Sequence, residues 1–351
     1  MSGTLTGVGA DGRITLAHGG GGSAMRSLID EVFLAAFTQG PPAVQEDQAR
    51  LDLTTLAQAG DRLAFTTDAF VVEPLEFPGG NIGTLAVCGT VNDLAVGGAT
   101  PAALSAAFVL AEGLELALLR RVVEAMARSA AQAGVRIVTG DTKVVPRHAC
   151  DGLFVTTSGV GVIRPEHTIS IAAGQPGDVV LVNGTLGDHG AAILCARGDL
   201  ALQTHLQSDC APLNTLVDTL LRAVPGVHCM RDATRGGVAG VLSELAEASN
   251  VLVTVNEAAL PVHPEVEGVC EILGLDPLFL ANEGKLVAVV PACHAEHALA
   301  AMQSHPLGHN AAIIGTLQAS ASGQGAVHVV NEFGGARVLT MPSGEQLPRI
   351  C

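Results

Sequence analysis

The stretch AAGQPGDVVLVNGTLGDHGAAIL, Ala172–Leu194, decides how the chain is divided. Gly174, Gln175, Pro176 and Gly177 read as a turn, since proline presets φ and glycine accepts conformations closed to other residues. VVLV, residues 179–182, reads as a strand. TLGDHGAAI reads as a glycine turn opening a helix. In that order these pieces begin a new α/β unit. The same grammar returns at RDATRGGVAGVLSELAEA, and a further strand, LVAVV, follows the turn NEGK. A domain boundary is therefore expected near residues 165–177.

Upstream, HGGGGSAMRSLIDEVF is a glycine loop followed by an amphipathic helix. LAFTTDAFVV reads as a strand interrupted by Asp68, IGTLAVCGTVNDLAVGGA as a helix with small residues, and AALSAAFVLA as a strand. LELALLRRVVEAMARSAAQAG is a strong helix closed by Gly134. VRIVTGDTK reads as a strand ending in a polar turn, and LFVTTSGVGVI as another strand. The expected organisation is a variable lead-in over 1–17, an N-terminal domain over 18–165, a C-terminal α/β domain over 166–341 and an extended tail over 342–351.

Composition bounds the function. The chain has 351 residues, 48% hydrophobic and 15% charged, with 42 Gly and neither Trp nor Tyr. Its net charge is -16, from 34 acids against 18 bases, which repels phosphate backbones and argues against nucleic acid. A bound nucleotide would need a cation between its phosphates and the protein's own acids. The eight cysteines are too dispersed for a zinc ribbon or an iron–sulfur loop, and most sit in apolar runs where a buried free thiol is the plain reading. Leu94–Ala111 is uncharged but carries Gly97, Gly98 and Pro101, so it reads as soluble core rather than a membrane span. With no apolar signal segment near the start, the expected location is a reducing cytoplasm.

Four polar turns are expected, each with an aspartate among small residues: TTDAF (Asp68), VNDLA (Asp93), TGDTK (Asp141) and RDATRGG (Asp232). Each alone is a common turn residue. Together, in an acidic chain, they can hold a hard divalent cation such as Mg²⁺ through oxygen. Gly19, Gly20, Gly21 and Gly22 precede a helix, where backbone N–H groups can approach a phosphate; a flexible linker is the alternative. Lys143 stands beside Asp141, and Glu283 beside Lys285. His294, His297, His305 and His309 lie at helical spacings without the carboxylate of HExxH and read as surface histidines. The last residues are LPRIC, ending on the thiol of Cys351, which is either a reactive group or a frayed end.

HGGGGSAM, QEDQARLDL, PGGNIGTLAVCGTVNDLAV, VTGDTKVV, VNGTLGDHG, RDATRGGV, LANEGKL and the terminal LPRIC together resemble the HypE family of hydrogenase maturation factors, from about His18 to Cys351. That family lies in the superfamily of aminoimidazole ribonucleotide synthetase and selenophosphate synthetase. Selenophosphate synthetase places its reactive cysteine in the N-terminal glycine-rich region, whereas the first cysteine here is Cys88. The resemblance implies two α/β domains and a homodimer formed by pairing the N-terminal sheets, with ATP bound close to the interface. It implies that a carbamoyltransferase, HypF, loads a carbamoyl group on Cys351. ATP then drives its dehydration to a thiocyanate, and a HypC–HypD complex carries the cyano group to the iron of [NiFe]-hydrogenase. On that reading Asp68, Asp93 and Asp141 hold Mg²⁺ and ATP, joined by Asp232. Gly19–Gly22 and Lys143 contact phosphates or the phosphorylated amide. Glu283 is the base, helped by Lys143, with its pKa raised by a desolvated site. The tail is expected to swing, mobile while the sulfur is unmodified. A different ATP-dependent synthetase and a non-catalytic carrier of the carbamoyl group remain the alternatives.

Overall fold

The computed structural model describes residues 12–38, 46–198, 204–340 and 349–351. Two sheets organise it. The first has four strands in the order Arg62–Phe70, Leu153–Ile163, Ala99–Ala111, Arg136–Val145. Only the last pair is parallel. The second has seven strands, with Asp178–Val182 between Ala312–Ala319 and Leu286–Pro291, and Cys229–Asp232 at one edge.

The two sheets are covered differently. In the larger sheet successive side chains alternate between two cores, as a two-residue period requires. Val180, Val182, Val287 and Val289 pack on one side, while Val179, Leu181, Leu286 and Ala288 pack on the other. The smaller sheet is covered on one face only. Leu104, Ala106, Phe108, Leu153 and Val155 meet the helices Ile82–Val96 and Leu116–Ala133. On its other face Leu63 and Phe65 are 60% and 72% exposed.

The helix Ile82–Val96 joins the halves. Asn81 caps it by accepting from the N–H groups of Gly83 and Thr84 at 2.9 and 3.1 Å. It is buried almost all round because each end packs on a different core. Ile82, Leu85 and Val87 sit in the N-terminal core, while Ala95 and Val96 sit in the C-terminal one. The helix Leu116–Ala133 ends where Gly134 turns left-handed, φ +71°.

The aspartate segments differ from the turns expected of them. Asp68 is inside an unbroken strand, paired with Thr157, and Asp141 is inside the strand Arg136–Val145, paired with Ala107. Asp93 is in the last turn of the Ile82–Val96 helix. Ladder pairing and helix packing override the turn preference of aspartate here. Asp232 does end a strand.

Candidate active site

Asp68 and Asp93 are braced reciprocally. Thr66, on the strand with Asp68, donates to Asp93 at 2.7 Å, and Thr90, on the helix with Asp93, donates to Asp68 at 2.8 Å. Thr157 backs Thr90 at 2.6 Å. Strand and helix therefore present two carboxylates side by side. Burial, then the charge of Asp93, raises the pKa of Asp68. Asp232 arrives from the other domain, and burial together with Asp93 pushes it up to about 7. Beyond it, Thr234 and Arg235 lie in a turn whose Gly237 has φ +61°; a side chain there would collide with the backbone of Leu278 and Leu280.

Glu283 closes the cleft at the start of a tight turn. The carboxylate of Asp209 grips that turn: it accepts from the N–H of Glu283 at 3.0 Å, the N–H of Gly284 at 3.2 Å and Lys285 Nζ at 2.8 Å. A side chain on Gly284 would overlap the Asp209 carbonyl. From the opposite domain Asn92 donates to the Glu283 carbonyl at 3.3 Å. Burial tends to raise Asp209, but the Lys285 charge and these hydrogen bonds bring it below its ordinary value. Burial, then the charges of Asp209 and Asp232, push Glu283 well above the usual carboxylate range. Its Oε1 is buried with no hydrogen-bond partner among the described residues.

Cys351 lies in this cleft with Asp68, Asp93, Asp232, Thr234, Arg235 and Glu283. Burial, then Glu283, pushes its thiol well up, with Arg235 opposing. The Arg349–Cys351 end is seated against the N-terminal core and the cleft. Ile350 is 4% exposed and packs into the N-terminal core. Arg349 pairs with Glu73 and Asp151 at 2.7 and 3.1 Å. Residues 341–348, most of the expected arm, lie outside the described residues.

The cleft thus gathers Asp68, Asp93, Asp232, Glu283 and Cys351. It does not gather Asp141, Lys143 or Gly19–Gly22 within one copy. Asp141 and Lys143 are exposed on the open face of the four-stranded sheet, on its far edge strand. Three strand spacings, about 14 Å, separate that strand from the one bearing Asp68. The glycine loop packs beside it: a side chain at Gly19 would stand 3.0 Å from the Val144 Cβ. Sequence reading missed Arg235 and Asp209. Arg235 was within reach as the basic residue of an already noted turn. Asp209 carries no local signal, because its role exists only where distant segments meet.

Comparison with known proteins agrees with this architecture. The family model described as AIR synthase related protein, N-terminal domain, matches residues 45–163, and its C-terminal domain counterpart matches 175–328. A carbamoyl dehydratase HypE from Rhodobacter capsulatus is 60% identical over 341 residues, covering 97% of this chain and 99% of the relative. A crystal structure of a hydrogenase maturation protein HypE in complex with ATP superposes with a TM-score of 0.90 at 45% identity, covering 96% of this chain and 99% of that one. A HypE–HypF complex structure matches with a TM-score of 0.77 at 43% identity, covering 90% and 99%. Both halves match in order and one relative is so similar along nearly its whole length that the chain belongs to the HypE family of carbamoyl dehydratases, among the AIR synthase related proteins.

Proposed function

We propose that this protein uses ATP to dehydrate a carbamoyl group carried on the sulfur of Cys351. Protein–S–C(O)NH2 and ATP give protein–S–C≡N, ADP and phosphate. The observation that carries this reading is Cys351 seated among three aspartates, Arg235 and Glu283 in one cleft.

The residues suit the chemistry. An amide oxygen leaves poorly until it is phosphorylated. Arg235 is placed to meet the phosphoryl charge as it develops. Glu283 is placed to take an N–H proton, and the second proton leaves with phosphate. The cavity around the sulfur is about 50 Å³, room for a carbamoyl group but not for a nucleotide. ATP must therefore reach in with its phosphates from the mouth.

Among the described residues no three acidic, histidine or cysteine side chains are gathered tightly enough to hold a metal ion unaided. Asp68, Asp93 and Asp232 nevertheless offer hard oxygen donors, which fit Mg²⁺ that draws its other ligands from phosphate and water. Bound there, Mg²⁺ would supply the positive charge that lets a triphosphate approach these carboxylates. Burial, then neighbouring acids, hold Glu283 in its acid form, and a cation bound beside it would favour the ionised form.

Loading must happen elsewhere. The thiolate is the nucleophile toward a carbamoyl donor, and the seated thiol is held protonated. We place loading outside the cleft, at a HypF partner like that in the matched complex. The tail then returns for dehydration, and a HypC–HypD complex takes the cyano group. A homodimer completes the site. Pairing the edge strand Arg136–Val145 of one copy with Arg62–Phe70 of another would cover Leu63 and Phe65. It would also set Asp141, Lys143 and the glycine loop beside the partner's Asp68. No helix among the described residues is long and apolar enough to cross a membrane. We assign the protein to the cytoplasm, where its eight free thiols stay reduced.

Intact mass after incubation with HypF, carbamoyl phosphate, Mg²⁺ and ATP is the test. A carbamoyl gain followed by loss of one water is expected, both abolished by Cys351→Ala. A carbamoyl gain that persists with ATP would make the protein a carrier only. ATP turnover indifferent to Cys351→Ala would make it a different synthetase.

A further inference from the structure

We propose that His189 is the positioning residue that holds the tail in the cleft, through one hydrogen bond to the peptide carbonyl beside Cys351. His189 is the second residue of the helix Asp188–Ala196, which opens at Gly187, and it is fully buried. Its Nε2 is 2.8 Å from the Ile350 carbonyl oxygen and its Nδ1 is 2.7 Å from Ser208 Oγ. The Cys210 N–H donates to the same Ser208 oxygen at 3.1 Å. The Ile350 carbonyl can only accept, so the ring's hydrogen is on Nε2 and donates to it, and Nδ1 accepts from the Ser208 hydroxyl. Burial holds the ring neutral. The edge of Phe77 meets it at 86° with centroids 5.5 Å apart, which fixes its plane.

Ile350, buried in the N-terminal core, adds apolar contact that holds the tail without fixing its orientation, and the other polar anchors are weaker or less direct. Arg349 pairs with Glu73 and Asp151, whose side chains are 60% and 73% exposed, and such surface pairs hold little. Arg197 and the Glu73 N–H reach the Arg349 carbonyl at 3.0 and 3.2 Å, two residues from the sulfur. His189 acts next to Cys351 from inside, where a lost partner would leave a polar ring buried and unpaired. Its support, Ser208, precedes Asp209, which grips the Glu283 turn. A single short segment thereby sets the sulfur and the proposed base in one frame. One neutral hydrogen bond is firm enough to bias the tail inward and weak enough to let it leave for loading.

The place of this latch in catalysis rests on the dehydratase reading, so its first test uses neither ATP nor a carbamoyl group. Full-length protein is treated with iodoacetamide, and alkylation of each cysteine is followed by peptide mass spectrometry. In His189→Ala the Cys351 rate is expected to rise about fivefold to tenfold, the weight of one hydrogen bond. Buried Cys88 and Cys229 should stay at wild-type rates. His189→Gln should return Cys351 close to wild type, because its amide can donate to Ile350 and accept from Ser208. An unchanged Cys351 rate in His189→Ala, or a Gln variant as fast as Ala, overturns the proposal. If His189→Ala loosens the chain, seen as Cys88 and Cys229 reacting too, Ser208→Ala carries the test. It leaves the ring but frees its tautomer, and should speed Cys351 alone by about twofold; no change overturns the latch. In carbamoylated protein, His189→Ala should slow dehydration while loading by HypF stays equal or quickens, an opposed pair that general destabilisation does not produce. Loss of loading and dehydration together overturns the proposal. Wild-type protein that alkylates as expected yet never forms thiocyanate overturns the dehydratase reading and leaves the latch standing.

Discussion

Cys351 and Glu283 each sit in the protonation state opposite to the one their proposed roles need. The thiol is kept neutral, which protects it from oxidation and stray acyl donors but bars loading in the cleft. The carboxyl is kept protonated by burial and neighbouring acids. A general base is worth about 10²–10⁴ in rate. Glu283→Gln, nearly the same shape, should therefore accept the carbamoyl group normally yet form thiocyanate slower by about that range, read by quenched time points in intact mass. A wild-type rate of thiocyanate formation removes Glu283 from the mechanism. Asp209 works one step back. It is the buried partner of Lys285, their side chains 4% and 10% exposed. Asp209→Ala leaves that lysine with only the longer Asp188 contact at 3.9 Å among the described residues, and should cost about 3 kcal/mol in urea unfolding.

At the scale of elements, the Ile82–Val96 helix does the joining. Its Asn92 makes three hydrogen bonds to the other domain: it accepts from the Leu213 N–H at 2.7 Å and donates to the carbonyls of Ala211 and Glu283 at 3.1 and 3.3 Å. At about 1 kcal/mol each, Asn92→Ala should lose about 3 kcal/mol. Because one bond lands on Glu283, dehydration should fall further than the folded fraction does. Equal losses in calorimetry and in thiocyanate formation would reduce Asn92 to a structural brace. The helix also depends on Gly83, where a side chain would strike the Val122 carbonyl and lie 2.8 Å from Met126 Cγ. Helix-to-helix contact, rather than turn geometry, requires that glycine.

Across the whole molecule, buried carboxyls make stability depend on pH. Asp232, raised to about 7, and Glu283, raised well above its ordinary value by burial, bind protons in the folded state that the unfolded chain has already released. Their contribution is full below the ordinary carboxylate pKa and is lost as pH rises through the folded values. His189 and His305, both lowered, act in the opposite sense, but only below about pH 6.5. Between about pH 6.5 and 8 the melting temperature of the metal-free protein should therefore fall, and Mg²⁺ with ATP should flatten the slope. A flat metal-free profile would separate these carboxylates. The proposed homodimer gives a second test at this scale. Cys351→Ala mixed with Lys143→Ala should recover thiocyanate formation if Lys143 acts across the interface, because the mixed dimer pairs an intact thiol with the partner's lysine. No recovery would assign Lys143 to its own copy.

Local patterns in the sequence already determined most strands and helices and the glycine turns at Gly187 and Gly236–Gly237. Those features rest on short-range preferences: turn residues, two-residue alternation and helix closure at Gly134. The family, too, was legible from motifs in their order. Tertiary structure alone decided which of the marked residues meet. Asp68, Asp93, Asp232, Glu283 and Cys351 are brought together by a strand, a helix, a strand end, a turn and a tail, with up to 283 positions of chain between Asp68 and Cys351. Asp141 looked equivalent to Asp68 on paper but lies on another edge strand of the same sheet. Its strand pairs with Ala99–Ala111, and that pairing faces it away from the cleft. His189 and Asp209 had no marker, since a hydrogen bond to a distant backbone leaves no pattern in the residues beside it. Contacts between segments far apart in the chain are set by how complete sheets and cores pack, and that information is not local.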